Sequence, residues 1–206
     1  WVMVHKRDES APTPETVLPE LPGVVAPEAL QIPKSLDLSA YDFELAGSPH
    51  CWDDYAIGEK IDHIDGMTIE EAEHQIATRL YQNTAKVHFD QVAAGAGRFG
   101  KRLIYGGHII SLARALSFNG LGNGFRIAAI NAGAHANPAF AGDTVFAWSE
   151  VLDKFEIPGR RDIGALRLRL VAVRDRQASD FPLRDAEGKY DSGVLLDFDY
   201  TVLIPR

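Results

Sequence analysis

Cysteine is almost absent from this sequence, which has one, Cys51, among 206 residues. Disulfide frameworks and cysteine-based zinc sites within a chain need several thiols, so the sequence excludes both. The sequence contains histidines, but their spacing does not match that of metal ligands. The sequence therefore predicts no metal site, and it predicts surface or core positions for His63, His74, His108 and His135.

Basic clusters and long apolar runs are also missing. Lysine and arginine total 21 against 29 acidic residues, which gives a formal net charge of −8. A nucleic-acid surface normally needs a concentrated basic face, and a membrane span needs about 18 apolar residues in a row. With no signal peptide either, the sequence predicts a cytoplasmic globular protein that binds neither nucleic acid nor membrane.

The first fifty residues differ in composition from the rest. The chain begins with Trp1 rather than methionine, and residues 1–4 predict the end of a strand, which is not stable without a partner. We therefore expect the chain to be a fragment whose first strand completes a missing N-terminal part. Seven of the eleven prolines fall between residues 8 and 50, so this segment is predicted to be an extended connector. Recurring apolar residues predict that it lies along a folded body, including Val17, Leu18, Leu21, Val25, Leu30, Ile32, Leu36 and Leu38.

Residues 51–206 are predicted to form the main domain, in which a turn and a short alternating strand at residues 59–64 precede two helices joined by a loop. Thr68 and Glu71 have capping-box spacing, and the apolar spacing of Ile69, Ala72 and Ile76 predicts a helix over residues 68–81 with that face buried. Residues 82–102 are predicted to be loop, with a short helical turn near residues 89–94. Residues 103–105 predict a brief strand, and residues 109–118 a helix that is apolar over most of its circumference and so surrounded by other elements.

Four long strands are predicted in the second half of the chain. They cover residues 125–130, 144–152, 165–173 and 194–204, and apolar and polar residues alternate along them. Arg167 and Arg169 are predicted to lie on the polar face of their strand. Period-two strands joined by turns favour an antiparallel sheet. An α+β fold in which a curved sheet wraps the apolar helix, the hot-dog fold, satisfies both patterns, and its free edges favour a double hot dog or a homo-oligomer.

Three motifs follow one another along this domain. The first is Asn83-Thr84-Ala85-Lys86-Val87-His88-Phe89-Asp90, the second Ile104-Tyr105-Gly106-Gly107-His108, and the third Pro138-Ala139-Phe140-Ala141-Gly142-Asp143. Together they resemble the MaoC-like hot-dog hydratases, whose motifs are Asp-x-Asn-Pro-x-His-x-Asp, a strand with glycine before an apolar helix, and Pro-x-x-x-Gly-Asp. This sequence departs from the first pattern, because Asn83 replaces an aspartate and Ala85-Lys86 replaces Asn-Pro.

The resemblance extends beyond the motifs. The runs at residues 81–88 and 103–114 and the proline-rich connector are similar to a fused double hot-dog hydratase of this family that acts on a short branched dicarboxylic acyl-CoA. The resemblance implies that residues 51–206 are its C-terminal hot dog and that residues 1–50 hold the last strand of the N-terminal hot dog plus the connector. The implied partners are an acyl-CoA, that N-terminal half and further copies of the protein. No cofactor is implied, because CoA is part of the substrate.

Roles for individual residues follow from the chemistry that the resemblance implies. Adding water to an enoyl thioester needs a base, an acid and a donor to the enolate oxygen. His88 is the predicted base, because its unperturbed pKa lies near neutrality, and Asn83 would orient the water. Gly107, with its amide at a free helix N-terminus, is the predicted oxyanion donor. Substrate-binding roles are predicted for a further set: Tyr105, Gly106, Arg98 and Arg102.

Alternatives remain open from the sequence. Gly106 and Gly107 could only relieve packing, and Arg98 and Arg102 could form a solvated basic turn rather than bind a CoA phosphate or a substrate carboxylate. Asp90 is a weak candidate if a carboxylate is required. On the same fold, thioester hydrolysis is the first rival activity, although Asn83 does not supply the carboxylate that hot-dog thioesterases usually need. A non-catalytic acyl-CoA-binding half is the second.

Overall fold

The computed structural model describes residues 8–12, 15, 17 and 19–206, and this part of the chain contains an open antiparallel sheet. The strands occur in the order β1-β4-β5-β6-β3, and β2 also pairs with β4. The α+β fold with a sheet curved around a helix is therefore confirmed, whereas the predicted strand at residues 1–4 lies outside the described residues. The strands are β1 (Lys60–Asp62), β2 (Met67–Thr68), β3 (Arg126–His135), β4 (Thr144–Glu156), β5 (Ile163–Arg174) and β6 (Val194–Pro205).

The helices precede the long strands. The one that fills the sheet is α5, which begins at Gly106, ends at Leu116 and packs against β4, β5 and β6. The α-helices of the described residues are α1 (Phe43–Ala46), α2 (Glu71–Leu80), α3 (Lys86–Phe89), α4 (Gln91–Gly95), α5 (Gly106–Leu116) and α6 (Phe118–Leu121). Ser111 and Ala115 of α5 are exposed, so the described residues surround this helix only in part.

The main core lies between α5 and the inner face of the sheet. Alternate residues of the central strands point into it, as the period-two pattern predicted. Full burial of each of these apolar side chains stabilises the fold by about 1.5–3 kcal/mol relative to exposure. The central members of the core are Ile109, Leu112 and Leu116 from α5, Leu166, Leu168 and Leu170 from β5, and Phe198, Tyr200 and Val202 from β6.

The outer face of the sheet has a polar centre. Arg167 pairs with Asp199 at 2.5 Å, and Arg169 pairs with Asp197 at 3.1 Å and with Glu150 at 3.4 Å. These pairs join neighbouring strands and remain partly exposed, so each is worth at most about 1 kcal/mol. The predicted polar face for Arg167 and Arg169 is confirmed.

The proline-rich connector packs against one end of that outer face. Leu30 is buried there beside Ile163 and Leu203, and half-buried neighbours include Ile32 and Leu36. The Arg160 guanidinium donates to the Leu36 carbonyl at 2.9 Å, which ties the connector to the β4–β5 turn. The predicted burial is thus confirmed for the middle of the connector, but it is wrong for Val17 and Leu21, which are largely exposed.

The face that α2 buries differs from the predicted one. The helix begins at Glu71, and Thr68 belongs to β2, so the predicted capping box does not form. The buried residues of α2 are polar, namely His74, Gln75 and Thr78, whereas Ile76 is exposed. The physical reason is that this polar face is the one that hydrogen-bonds to the loop between α2 and α5, which offers backbone donors and acceptors.

Two strand predictions also change. Residues 103–105 are extended without forming a strand, because the Leu103 amide bonds to the Val87 carbonyl at 3.1 Å and the Ile104 amide to the Ala139 carbonyl at 2.9 Å, in separate segments. Strand β3 continues to His135, beyond the predicted end at residue 130. Its last residues are small and have low strand propensity, but pairing with β6 holds them in the sheet.

Candidate active site

A pocket of about 850 Å³ opens at the N-terminal end of α5. This volume is within the range of small-molecule sites. It brings together five of the residues predicted from the sequence, and no carboxylate, lysine or arginine is among its lining residues. The lining residues are Asn83, His88, Tyr105, Gly106, Gly107, Ile110, Gly133, Ala134 and His135.

The His88 imidazole is held in one orientation and one tautomer. Its Nδ1 lies 3.1 Å from the Leu103 carbonyl oxygen, and Gln75 donates to the His88 carbonyl at 3.0 Å. A carbonyl only accepts hydrogen bonds, so Nδ1 carries the hydrogen and Nε2 carries the lone pair. No described residue hydrogen-bonds to Nε2. The imidazole can therefore accept a proton from a molecule in the pocket.

Asn83 is fixed beside His88 through its side-chain oxygen. This oxygen accepts a hydrogen bond from the Ala85 amide at 2.9 Å, and the Asn83 backbone amide donates to the Thr78 carbonyl at 2.9 Å. The side-chain amide nitrogen of Asn83 has no partner in the described part of the chain. Asn83 can thus donate a hydrogen bond into the pocket, but it cannot act as a base.

The two glycines at the start of α5 allow close contacts that a side chain would block. A Cβ on Gly106 would lie 2.4 Å from His135 Nε2, and a Cβ on Gly107 would lie 2.6 Å from the Tyr105 ring. Tyr105 is the N-cap, so both glycine amides precede the intrahelical hydrogen bonds, and neither has a partner among the described residues. The pocket therefore contains two free amides at the positive end of a helix dipole.

A buried histidine fixes the position at which α5 begins. The Tyr105 amide donates to His74 Nε2 at 2.8 Å, and His74 is only 1% exposed. Burial, followed by the charges of His108, His88 and Arg102, lowers the pKa of His74 to about 4. The imidazole is accordingly neutral at pH 7 and keeps the lone pair that the Tyr105 amide requires. The sequence contained no motif for this contact, because it joins residues 31 positions apart.

Loss of the His74 contact should impair the site without removing a pocket residue. For His74→Ala we expect kcat of the enoyl-thioester hydration that the sequence predicts to fall about tenfold in the full-length protein, the cost of roughly one hydrogen bond. His74→Gln should restore part of kcat, because the glutamine side-chain oxygen can accept from the Tyr105 amide. Steady-state kinetics of both variants check this. Equal loss of kcat in both variants would contradict the positioning role.

His135, predicted from the sequence to have a surface or core position, instead lines the pocket. The predicted strand ended at residue 130, whereas β3 carries His135 opposite Leu196 and places its ring over Gly106. Burial first, and then the charge of His88, lower the pKa of His135. No local pattern would have placed this side chain there, because residues 131–134 are small and β3 has two register shifts against β6.

Arg98, Arg102 and Asp90 do not line the pocket. Arg98 lies over the ring of Phe99, with its Cζ 5.1 Å from the ring centroid, and Arg102 pairs with Glu71. Asp90 caps α4 by accepting from the amides of residues 92 and 93, each at 3.0 Å. The substrate-binding roles of Arg98 and Arg102 remain predictions, and Asp90 is already used for capping.

His63 and His108 have structural surroundings. His63 is fully buried and contacts the Asn119 carbonyl through Nδ1 at 2.7 Å and the Ser149 hydroxyl through Nε2 at 2.8 Å. His108 is buried in α5 beside His74, with ring centroids 5.9 Å apart. In the described residues, no three His, Cys, Asp or Glu side chains group so as to hold a metal ion. In the same part of the chain, no helix is long and apolar enough to cross a membrane.

Two curated proteins are similar to this chain along its whole length. It is 64% identical to the beta-methylmalyl-CoA dehydratase of Chloroflexus aurantiacus over 206 residues, which is 58% of that protein. It is 62% identical to the mesaconyl-CoA hydratase of Cereibacter sphaeroides over 208 residues, which is 59% of that protein. The chain thus spans somewhat more than half the length of these relatives. No protein-family model matches it.

Solved structures share the fold. A putative MaoC domain protein dehydratase from Chloroflexus aurantiacus superposes with a TM-score of 0.92 at 64% identity, covering 98% of this chain and 58% of that one. A double hot-dog protein from Mycobacterium tuberculosis has a TM-score of 0.56 at 21% identity, covering 85% of this chain and 48% of that one. The second likeness shows the fold alone. This chain is therefore similar along its whole length, at 62–64% identity, to somewhat more than half of each curated relative, and it shares the fold of the MaoC domain dehydratase structure.

Proposed function

We propose that the protein containing this chain is a hydro-lyase that reversibly hydrates mesaconyl-CoA to β-methylmalyl-CoA. The names of the two relatives supply the substrate and the product. The observation that carries the proposal is the His88 imidazole, whose Nε2 is free in a pocket that also contains the free amides of Gly106 and Gly107. A base and an oxyanion donor in one pocket are what enoyl-thioester hydration requires.

The reaction can be written with these groups. His88 Nε2 takes a proton from water as the water oxygen bonds to the β-carbon of the enoyl thioester. The π electrons move to the thioester oxygen, and the Gly107 amide stabilises the resulting enolate. The His88 imidazolium then returns a proton to the α-carbon, and the thioester carbonyl re-forms. Asn83 orients the water through its free amide nitrogen, and dehydration follows the same steps in reverse.

The proposed site needs only the acyl-CoA itself. CoA enters as part of the substrate, so the proposal includes no separate cofactor and no metal. Tyr105 and Gly106 contact the acyl group beside Gly107. Arg98 and Arg102 lie on the loop that precedes α5, from which they would meet the CoA phosphates, after Arg102 exchanges its partner Glu71 for a phosphate.

Thioester hydrolysis is the rival activity on this fold. A hot-dog thioesterase usually needs a carboxylate in its pocket, and the lining residues include none. The structure of this pocket therefore favours hydration. A non-catalytic acyl-CoA-binding half is the other alternative, and the anchored His88 tautomer argues against it, since pure binding does not require an imidazole with a free lone pair.

We further propose that the chain works together with an N-terminal hot-dog half of the same protein. The coverage of 58% and 59% of the two relatives supports this arrangement, and the division at residues 1–50 and 51–206 is part of the proposal. Strand β3 is an edge strand in the described sheet and exposes Ile127 and Ile130, which a neighbouring sheet would cover. We also propose that the protein assembles into a homo-oligomer and works in the cytoplasm.

The test uses the full-length protein and mesaconyl-CoA. Loss of the enoyl-thioester absorbance is followed while free thiol is assayed in the same samples. We expect hydration without thiol release, and the reverse reaction from β-methylmalyl-CoA. Thiol release in step with substrate loss would instead establish a thioesterase. Saturable acyl-CoA binding with neither reaction would establish a binding protein.

A further inference from the structure

The His135 imidazole in the pocket is not used by the proposed hydration steps. Its Nε2 lies so close to Gly106 that a Cβ there would be 2.4 Å away. Neither ring nitrogen hydrogen-bonds to a described residue. His135 and His88 line the same pocket, and the charge of His88 contributes to the lowered pKa of His135. His135 is therefore an unpartnered imidazole beside the first amides of α5.

The two imidazoles of the pocket differ in how they are held. His88 is fixed by the Leu103 carbonyl at Nδ1, as a base with a defined tautomer must be. His135 has no such anchor among the described residues, so either of its nitrogens can carry the hydrogen. An imidazole of this kind is suited to donating a hydrogen bond to a ligand and, when protonated, to pairing with an anion.

The pocket offers few groups that could bind an anion. Lysine and arginine are absent from its lining, so His88 and His135 are the lining side chains that can become positively charged. The proposed hydration steps already use His88, the Gly107 amide and Asn83. The donors that remain for the rest of the acyl group are His135, the Tyr105 hydroxyl and the Gly106 amide.

We infer that His135 binds the free carboxylate of the acyl group and so gives the site its preference for dicarboxylic over monocarboxylic acyl-CoA. This inference rests on the proposed function, because mesaconyl-CoA carries a carboxylate at the end remote from the thioester. The His135 ring lies over Gly106, the neighbour of the Gly107 amide proposed to meet the thioester oxygen, and all three residues line one pocket, so His135 is the charged donor beside the expected place of the acyl chain. A bound carboxylate also favours the imidazolium form, so the contact strengthens as the ligand enters.

The experiment compares paired substrates in the full-length protein. Mesaconyl-CoA is compared with tiglyl-CoA, in which a methyl group replaces the free carboxylate. For His135→Ala we expect kcat/KM on mesaconyl-CoA to fall about 10- to 100-fold, mainly through KM, as for a lost hydrogen bond to a charged group. Tiglyl-CoA hydration should change by less than about threefold, since this substrate has no free carboxylate for His135 to bind. Glutamine keeps a hydrogen-bond donor, so the kcat/KM of His135→Gln on mesaconyl-CoA should lie between those of wild type and His135→Ala.

Binding of unreactive analogues separates this inference from the proposed function. Succinyl-CoA has a free carboxylate where butyryl-CoA has a methyl group, and neither has a double bond to hydrate. His135→Ala should weaken succinyl-CoA binding by a similar factor and leave butyryl-CoA binding unchanged, even if mesaconyl-CoA proves not to be a substrate. His50→Ala, at an exposed histidine outside the pocket, is the matched control and should behave as wild type. Equal losses with both members of a pair, or no loss with either, would overturn the inference.

Discussion

Replacing His88 with alanine is expected to lower kcat for mesaconyl-CoA hydration by about a hundredfold or more, the contribution of a general base. The substitution removes the Nε2 lone pair, and no carboxylate lines the pocket to replace it. KM should change little, because the imidazole acts on water and not on the CoA portion. Steady-state kinetics of the full-length protein measure both constants.

His88→Asn separates the loss of a base from a loss of structure. The asparagine amide nitrogen takes the place of Nδ1 and can donate to the Leu103 carbonyl, but the side chain has no proton acceptor of comparable basicity. Both variants should therefore be equally inactive, and His88→Asn should unfold at the same denaturant concentration as wild type. Activity retained in either variant would move catalysis to the other part of the protein and leave this chain a scaffold.

The second large effect concerns stability and comes from Gly164 in β5. A Cβ at this position would lie 2.2 Å from Cδ1 of Trp52, whose indole packs against the strand and donates to the Ala165 carbonyl at 3.1 Å. Lys154 and Arg206 also lie over this ring, each 4.3 Å from its centroid. Gly164→Ala should therefore displace Trp52 and lower the free energy of unfolding by about 2–3 kcal/mol. Chemical denaturation measures this.

Gly23→Ala is the matched control for that substitution. No atom lies within 4 Å of a Cβ built at Gly23, so this variant should be nearly as stable as wild type. The double variant Trp52→Ala/Gly164→Ala should have nearly the same free energy of unfolding as Trp52→Ala alone, because the indole ring that the new methyl group would meet is absent. A large additional loss in the double variant would show that the strand backbone, and not Trp52, resists the methyl group.

The long strands and the central helix could be predicted from the sequence because local pattern and tertiary structure agree there. Leu166, Leu168 and Leu170 alternate with Arg167 and Arg169, and only one register of an antiparallel sheet buries the first set and exposes the second. The dense apolar face of α5 fixed its place against the sheet in the same way.

The hydrophobic pattern of α2 predicted the wrong buried face, and the structure shows why. Its apolar residues predicted the buried face, yet Ile76 is exposed while His74 and Gln75 are buried. These polar side chains are buried because each hydrogen-bonds to backbone groups of the loop that carries His88 and Tyr105. Such partners are far away in the sequence, so hydrophobic periodicity carries no information about them.

The α+β hot-dog architecture could be inferred from strand and helix periodicity, and a histidine followed by a glycine pair at a helix start could be read directly, because both signals lie in residues close together in the chain. The tertiary structure alone decided which groups complete the candidate site. It brought His135 over Gly106 through the pairing of β3 with β6, and it set His74 beneath the Tyr105 amide through the packing of α2. Both contacts join elements distant along the chain, and the geometry of the assembled fold, rather than any local preference, selects them.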